Sequence, residues 1–499
     1  MGIRAAKTQI IRGRVVTTDA SVQVPEPIQD PGSFRDRSNR VYDDGRRIYR
    51  GIDAQALSNW RAVRNHAFFR TLQSKGRIVN TREWDESSDG PEAGTWAAHL
   101  VHERVPFVTY PYEWSFGMLK DAALLHLEIL ERAIPADWTL KDASAFNVQW
   151  HGARAIFIDV PSFEPYTKGE AWVGYRQFCM MFLYPLMFRA YKGIDYLPFL
   201  RGSLEGIEPA TANQVLTGFS RFRRGVLSHV YLHAKMQEKY ANKDLDEAKS
   251  LTEESNQQGP AKQRKFKHTE AMVLGTIQGL RRLVEGLHIP DSRTNWGDYD
   301  SEHSYAETSF EIKQQFVTKH VHAKKRRMAW DLGCNTGHFS KICAENSDYV
   351  ISVDGDDKAI ERLYQEQKKR GADSILPLVI NLANISPNQG WRGRERKALD
   401  ERGKPELILC LALIHHIVIT ANIPLEEFLG WLRELGADVI IELVGLSDDM
   451  TKMLLRNRVN QYEELSEPNF ERIVSELFVI KDTQTLKGDD RKLYFLEPK

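Results

Sequence analysis

The sequence predicts two domains, the second of them an α/β domain built on a parallel sheet. At 499 residues, the chain is too long for one compact core. Residues 329–499 alternate short apolar runs with amphipathic helices, which is typical of a parallel sheet covered by helices. A polar, highly charged segment, 241–267, precedes this region and reads as a linker. The predicted domains are therefore residues 32–240, of mixed α+β character, and residues 268–499.

The N-terminal half begins with a polar segment, residues 1–31, whose prolines block regular structure. We predict that this segment is flexible. Two short strands follow within residues 40–50, and apolar residues recur at helical spacing over Ala54–Gln73. A long apolar helix begins near Tyr112.

Charge and cysteine content exclude several classes of protein. Lys+Arg and Asp+Glu both number 68, so the net charge is zero and there is no clear nucleic-acid signature. The four cysteines show no C-x-x-C spacing, which argues against a zinc site and for a reducing compartment. The first residues lack the apolar core of a signal peptide, and the apolar run 178–188 is too short to span a membrane. We expect a soluble, cytoplasmic protein.

The stretch 329–340 organises the C-terminal half. It reads as a strand end, a loop of small residues and the first turn of a helix. Gly333, Asn335 and Gly337 are residue types that tolerate a left-handed backbone, so the loop can turn sharply and approach a ligand closely. The free N–H groups of the following helix point towards that ligand.

The spacing of this loop distinguishes between two classes of cofactor. A dinucleotide loop of the G-x-G-x-x-G type requires a third glycine where this chain has His338. The spacing here is instead D-x-G-x-N-x-G, starting at Asp331. The next apolar strand, Tyr349–Val353, ends in Asp354, whose carboxylate can accept hydrogen bonds from both hydroxyls of a ribose. These residues resemble class I S-adenosylmethionine (SAM) methyltransferases. The alternative is an α/β domain that binds no cofactor.

That resemblance implies a Rossmann-like sheet with an antiparallel last strand and SAM as the cofactor. Asp331 would position the amino-acid part of SAM, and the backbone N–H groups of Gly333 and Gly337 would bind its carboxylate. Asp354 would bind the ribose, and the end of the third strand would lie beside the adenine. The implied cofactor-binding residues are Asp331, Gly333, Asn335, Gly337, Asp354, Asn381 and Leu382.

A pair of histidines follows the fourth predicted strand, residues 406–414. Ligands of such sheets bind beyond the carboxyl ends of the strands, so His415 and His416 are expected near the methyl donor. Because imidazole titrates near neutrality, either residue is a candidate catalytic base. The alternative is a structural histidine that caps the loop through a hydrogen bond.

The N-terminal half carries a second candidate site. Asp142 and Asn147 have D-x-x-x-x-N spacing, and Asp159 ends the next strand. This region resembles the protein-kinase and aminoglycoside-phosphotransferase fold. The resemblance implies ATP and magnesium, with Asp142 as base and with Asn147 and Asp159 on the metal. The chain departs from that pattern because it lacks a Gly-rich loop, and Leu140 stands where the usual histidine is expected. A kinase-like binding or scaffold domain and an unrelated helical domain are the alternatives.

The whole chain is similar to a bacterial family of two-part proteins related to nodulation protein NoeA. The segments that carry this similarity are Tyr110–Trp114, Leu140–Ser144, Ala412–His416, and Glu442 with Asp449 and Arg458. The similarity implies SAM-dependent methylation of a glycan or small metabolite, with the N-terminal domain binding substrate or acting as a scaffold. Two other functions remain as alternatives: a bifunctional kinase–methyltransferase, and a catalytically silent SAM-binding scaffold.

Overall fold

The structure is a computed structural model that describes residues 10–11, 14–15, 26–84, 91–92, 94–236, 238, 268–289, 307–456, 462–486 and 490–499. The predicted linker, 241–267, lies outside the described residues. So does most of the predicted flexible segment, 1–31. Its last part, however, contains a short strand, Ile28–Gln29, that pairs with the first sheet. Ordered structure therefore begins before residue 32, because backbone pairing at a sheet edge orders a segment that is rich in proline.

The N-terminal half opens with an antiparallel sheet of five strands and two helices. In chain order, the elements are β1 (Ile28–Gln29), β2 (Asn39–Asp43), β3 (Ile48–Ile52), α1 (Ala54–Val63), α2 (Ala67–Ser74), β4 (Thr81–Glu83) and β5 (Ala98–His102). The spatial order of the strands is β1-β2-β3-β5-β4. A separate two-stranded pairing joins Ile10–Ile11 to Arg14–Val15.

The helix predicted over Ala54–Gln73 is in fact two helices, α1 and α2. Asp53 caps the first one by accepting a hydrogen bond from the Ala56 N–H at 2.8 Å. The break occurs where the side-chain amide of Asn65 donates to the carbonyl of Arg61 at 2.8 Å and His66 takes an extended backbone. An asparagine that bonds to the backbone competes with the helix, and apolar spacing does not reveal this.

The rest of the N-terminal half is mainly helical and surrounds two antiparallel strand pairs, one of which is a hairpin. Its elements are α3 (Phe116–Ala133), β6 (Trp138–Leu140), β7 (Val148–His151), β8 (Arg154–Phe157), β9 (Phe163–Pro165), α4 (Tyr175–Phe178), α5 (Tyr184–Lys192), α6 (Leu197–Gly202) and α7 (Pro209–Val215). The apolar run 178–188 passes through a buried π-helical turn, Cys179–Leu183, between α4 and α5. Within the described residues, every helix is too short or too polar to cross a membrane.

The C-terminal half is a seven-stranded sheet with helices on both sides. Its strands are β10 (Arg326–Leu332), β11 (Ser347–Asp354), β12 (Ile375–Val379), β13 (Leu407–Cys410), β14 (Asp438–Val444), β15 (Phe478–Thr485) and β16 (Arg491–Pro498). The helices of this half are α8 (Glu270–Glu285), α9 (Glu307–His322), α10 (His338–Ala344), α11 (Asp357–Arg370), α12 (Leu425–Leu435), α13 (Asp449–Leu455) and α14 (Glu467–Leu477). Helix α8 packs against α3 of the N-terminal half.

The strand order of this sheet is β12-β11-β10-β13-β14-β16-β15. The first five of these strands pair in parallel, and β16 is antiparallel to both of its neighbours. This arrangement confirms the predicted parallel sheet with an antiparallel last strand. Strand β13 is shorter than predicted, since Ala412 has a φ of +51° and so leaves the sheet. A π-helical turn, His416–Thr420, follows.

The two halves share a continuous buried core. Trp150 meets Tyr364 edge to face with ring centroids 5.5 Å apart, and Phe107 meets Trp330 at 6.2 Å. Two charged side chains pair across the same boundary, since the carboxylate of Glu113 and the guanidinium of Arg402 are joined at 2.7 Å with 1% and 0% of their side chains exposed. The N-terminal half is therefore packed tightly against the C-terminal half.

Candidate cofactor-binding site

A cleft of about 920 Å³ opens at the carboxyl ends of the central parallel strands. It lies where parallel sheets of this kind bind their ligands. Seven of the nine cofactor and catalytic candidates in the C-terminal half line it: Asp331, Gly333, Asn335, Asp354, Asn381, Leu382 and His416. Gly337 and His415 lie behind its wall.

The loop between β10 and α10 has the left-handed backbone that its residues predicted. Gly333, Asn335 and Gly337 have φ values of +75°, +48° and +79°. A side chain on Gly337 would place its Cβ 2.6 Å from Leu363 of α11. Gly337 therefore allows close packing of the loop on a neighbouring helix, and it does not line the cleft.

The role predicted for two backbone N–H groups of this loop is wrong. The Gly333 N–H donates to the carbonyl of Val353 at 2.8 Å, and the Gly337 N–H donates to the carbonyl of Cys334 at 2.8 Å. Both donors are used within the protein and are not directed at the carboxylate of a cofactor. The sequence indicated the shape of the loop but could not reveal which carbonyls would receive its N–H groups.

Asp354, at the end of β11, is held in place by two backbone donors. Its Oδ2 accepts from the N–H of Asn335 at 2.8 Å, and its Oδ1 accepts from the N–H of Asp356 at 2.9 Å. Burial raises the pKa of this carboxyl group, although the backbone hydrogen bonds oppose the shift. Each carboxylate oxygen retains acceptor capacity for a ligand hydroxyl.

One end of the cleft is charged. Asp331 is only 2% exposed, accepts from the Ser340 hydroxyl at 2.6 Å, and has its pKa raised to about 6 by burial. The ammonium group of Lys313 lies 5.0 Å from the centre of the Phe339 ring and also lines the cleft. Sequence reasoning missed Lys313, because a lone lysine on helix α9 belongs to no recognisable motif.

The cleft wall that follows β12 is largely apolar. Ile380, Leu382 and Ala383 line it, together with Asn381. The side-chain oxygen of Asn381 accepts from the N–H of Ala383 at 2.9 Å and so caps the turn Leu382–Asn384. The side-chain NH₂ group of Asn381 is the part that can donate to a ligand.

The two histidines after β13 are in different environments, although their ring centroids are 4.2 Å apart. His415 is 2% exposed, and within the described residues its Nδ1 has no hydrogen-bond partner. Burial, with a smaller contribution from His416, lowers the pKa of His415 to about 3. Burial also lowers the pKa of His416, which lines the cleft. His416 is therefore the histidine that a bound substrate can reach.

The three candidate residues of the N-terminal half also lie together. The Asn147 side-chain amide donates to Asp142 at 2.7 Å and to Asp159 at 3.5 Å. Burial and the nearby Asp159 raise the pKa of Asp142 to about 6. The guanidinium of Arg50, from β3, forms an ion pair with Asp159.

Comparison with known proteins assigns the chain to a family. It is 31% identical over 490 residues to nodulation protein NoeA of Rhizobium meliloti (strain 1021). The aligned region spans 97% of this chain and 99% of that protein. The chain belongs to the NoeA family. No family model matches the sequence.

Solved structures resemble part of this NoeA-family protein. The N-methyltransferase NodS from Bradyrhizobium japonicum WM9 is 14% identical, with 39% of this chain and 99% of NodS covered at a TM-score of 0.28. Magnesium protoporphyrin IX methyltransferase (ChlM) from Synechocystis PCC 6803, solved with bound SAM, is 18% identical, with 42% and 86% covered at a TM-score of 0.27.

A buried ionic network lies behind the charged end of the cleft in this NoeA-family protein. Glu442 is completely buried and binds the ammonium of Lys313 at 2.6 Å. Its other oxygen lies 3.4 Å from the guanidinium of Arg491, which also binds Asp448 at 2.8 Å. Of the residues that suggested the family alongside Glu442, Asp449 begins α13, whereas Arg458 lies outside the described residues.

Proposed function

We propose that this protein is a SAM-dependent methyltransferase that acts on a glycan or a small metabolite. The observation that carries the proposal is the fixed carboxylate of Asp354, on the strand between β10 and β12, in a cleft that also holds Asp331 and Lys313 and has apolar residues after β12. SAM has the matching order of groups: a zwitterionic amino acid, a ribose and a planar base.

The described residues fit each part of SAM. Asp354 would accept hydrogen bonds from the ribose hydroxyls. The amino-acid part would lie at Asp331 and Lys313, where a carboxylate and an ammonium group complement its two charges. The adenine would lie between the apolar residues at the end of β12, with the NH₂ group of Asn381 within the same wall.

When bound, SAM supplies a methyl group already activated by its sulfonium, so the protein mainly aligns the acceptor and accepts a proton. His416 is the group we propose for the proton, since it lines the cleft and its lowered pKa keeps the imidazole neutral at physiological pH. His415 would position it from behind, through the contact between the two rings.

The first experiment is calorimetric titration of the full chain with SAM. We expect binding by the unaltered protein and at least a tenfold loss in Asp354→Ala. Asp348→Ala is the matched control, because Asp348 lies on the same strand but is exposed and pairs with Lys325 outside the cleft. Absence of SAM binding by the unaltered protein would overturn the proposal.

Transfer is tested separately from binding, with methyl-labelled SAM and panels of glycans and metabolites. Transfer of the label to any acceptor would support methyltransferase activity. Binding without transfer to any acceptor would favour the silent scaffold instead.

We further propose that the N-terminal half is a kinase-like domain that binds substrate or acts as a scaffold. The five-stranded sheet, the helices between β3 and β4, and the cluster of Asp142, Asn147 and Asp159 support the kinase-like fold. The ion pair between Arg50 and Asp159 favours a scaffold, because it neutralises the carboxylate that a metal would need.

A bifunctional kinase–methyltransferase remains the second candidate, because the three predicted residues do converge. Titration with ATP plus magnesium separates the two functions. If the N-terminal half is a scaffold, it should not bind ATP. Magnesium-dependent binding that disappears in Asp159→Ala would establish the kinase site instead.

A further inference from the structure

We infer that two arginines of the N-terminal half, Arg189 and Arg201, are positioning residues for the adenosine side of the cleft. The inference rests on the proposed binding of SAM. It assigns part of the cofactor site to the region before residue 240, so the boundary between the halves is not a functional boundary.

Arg201, near the end of α6, reaches across the boundary to the turn that follows β12. Its guanidinium donates to the carbonyl of Asn384 at 2.9 Å, to the side-chain oxygen of Asn384 at 3.1 Å and to the carbonyl of Ile385 at 2.7 Å. The Arg201 carbonyl accepts in return from the side chain of Gln389 at 3.1 Å. A planar group with several fixed donors is suited to holding such a turn.

The turn held by Arg201 belongs to the cleft wall. Leu382 and Ala383 line the cleft directly, and Asn381 caps the turn through its side-chain oxygen. The hydrogen bonds of Arg201 therefore end one or two residues from the side chains that would contact the adenine.

Arg189, in α5, acts on the neighbouring wall. Its guanidinium forms an ion pair with Asp357, the first residue of α11, and its side chain is only 13% exposed. Asp357 lines the cleft three residues after Asp354. The two arginines thus support the two segments that flank the ribose and the adenine.

The energetic consequence follows from preorganisation. A wall that is already ordered binds a ligand without the entropic cost of ordering it at that moment. Removing Arg201 leaves the lining residues unchanged but allows the turn to move. We therefore expect the cofactor to bind more weakly, and we expect the lost affinity to come mainly from contacts with the adenine.

The experiment measures the affinity of the full chain for S-adenosylhomocysteine and for S-inosylhomocysteine, which lacks the 6-amino group of adenine. We expect Arg201→Ala to weaken binding of the first ligand about tenfold and to reduce the preference for it over the second. Arg201→Lys retains the charge but not the planar set of donors, so it should show most of the same loss. If Arg201→Ala does not fold, the lysine variant carries the test.

Arg154→Ala is the matched control. Arg154 also pairs across the boundary, with Asp373 at 3.0 Å, but neither residue lines the cleft. It should leave both affinities unchanged. Arg189→Lys should weaken the binding of both ligands, since Asp357 lies near Asp354, the carboxylate proposed to bind the ribose that both ligands share.

The outcomes separate this inference from the proposed function. If the unaltered protein binds neither ligand, the proposed function fails and the inference fails with it. If the unaltered protein binds and Arg201→Ala binds equally well, only the inference is overturned. An equal loss for both ligands in Arg201→Ala, or a similar loss in Arg154→Ala, would indicate a general structural role and would overturn the inference for Arg201. Unchanged affinity for both ligands in Arg189→Lys would overturn it for Arg189.

Discussion

Each half of this protein has an aspartate close to an asparagine, Asp354 at the end of β11 and Asp159 two residues after β8, but the two carboxylates have different partners. Asp354 is held by backbone N–H groups and faces a cleft of about 920 Å³. Asp159 is held by a guanidinium and by the amide of Asn147. Backbone donors orient a carboxylate without cancelling its charge, whereas an arginine supplies the opposing charge itself. The same residue type is therefore prepared for a ligand in one half and largely neutralised in the other.

The surroundings increase this contrast. A segment of the C-terminal half, residues 389–397, contacts the N-terminal half next to its candidate site. The Arg396 guanidinium is 4.0 Å from the centre of the Phe146 ring, next to Asn147, and Lys397 pairs with Asp30 at 2.8 Å. The C-terminal half therefore packs beside the candidate site of the N-terminal half, whereas its own candidate residues line an open cleft.

The largest effect is expected at the open cleft. His416→Ala should lower methyl-transfer turnover by about 10²-fold to 10⁴-fold, the usual contribution of a general base. Affinity for S-adenosylhomocysteine should stay the same, because the histidine is assigned to the acceptor. His415→Ala is the comparison, and it should reduce thermal stability more than His416→Ala does, since His415 is buried. Full turnover by the double variant would remove both residues from the mechanism.

The next effect concerns the boundary between the halves. Arg402→Ala leaves the buried carboxylate of Glu113 unpaired, so we expect a loss of about 3–5 kcal/mol in the free energy of unfolding. Denaturant titration measures it. Arg154→Ala breaks another ion pair across the boundary, with Asp373, in which the two side chains are 35% and 46% exposed, and it should cost no more than about 1 kcal/mol. Equal losses in the free energy of unfolding of the two variants would show that the buried pair between Glu113 and Arg402 contributes no more to stability than a partly exposed one.

A double-mutant cycle measures the interaction energy of the ion pair between Arg50 and Asp159 in the N-terminal half. Arg50→Met and Asp159→Asn should each destabilise the protein, and the double variant should recover about 2 kcal/mol relative to their sum, because the two side chains are in contact. Additive losses in denaturant unfolding would mean that the ion pair contributes nothing, and the contrast between the two carboxylates would then be lost.

The smallest effect is a dependence of binding on pH. The folded-state pKa of Asp331 is raised to about 6, so this group loses its charge as the pH falls through that value. If the ionised form binds the amino group of the cofactor, affinity for S-adenosylhomocysteine should be about tenfold weaker at pH 5 than at pH 7. Asp331→Asn should bind more weakly at pH 7 and lose the dependence. An unchanged pH profile in that variant would assign the titration to another group.

The raised pKa of Asp331 also has a consequence for stability. The folded state holds the proton more tightly than the unfolded state, in which the pKa of the carboxyl has its ordinary value of 3.8. The stabilising contribution of the protonated group is therefore fully present below about pH 4 and is lost as the pH rises through about 6. Unfolding measured at pH 4 and pH 7 in the Asp331→Asn variant should lack this contribution.

Local features of the chain were predictable because they depend on neighbouring residues. Backbone freedom at Gly333, Asn335 and Gly337 is a property of those residue types, and all three have the expected left-handed φ. Strand β13 is correctly identified but ends early at Cys410. Ala412 causes that early end, and nothing in an alanine indicates a left-handed backbone.

Features that join distant parts of the chain could not be predicted in this way. Lys313 reaches Glu442 across 129 residues, and Arg201 reaches Asn384 across 183 residues. Neither pair belongs to a local pattern. The hydrogen bonds of the Gly333 and Gly337 N–H groups were likewise decided by the carbonyls that the folded loop presents.

The sequence by itself determined the class of the sheet, the turn of the cofactor loop and the carboxylate at the end of β11, since these follow from apolar spacing and from the backbone preferences of single residues. Only the tertiary structure decided which carboxylates stay available to a ligand, which histidine faces the cleft, and that arginines of the N-terminal half contact the segments that form the cleft wall. Those outcomes depend on burial and on charges brought together from distant positions, and neither is encoded in any short stretch of the chain.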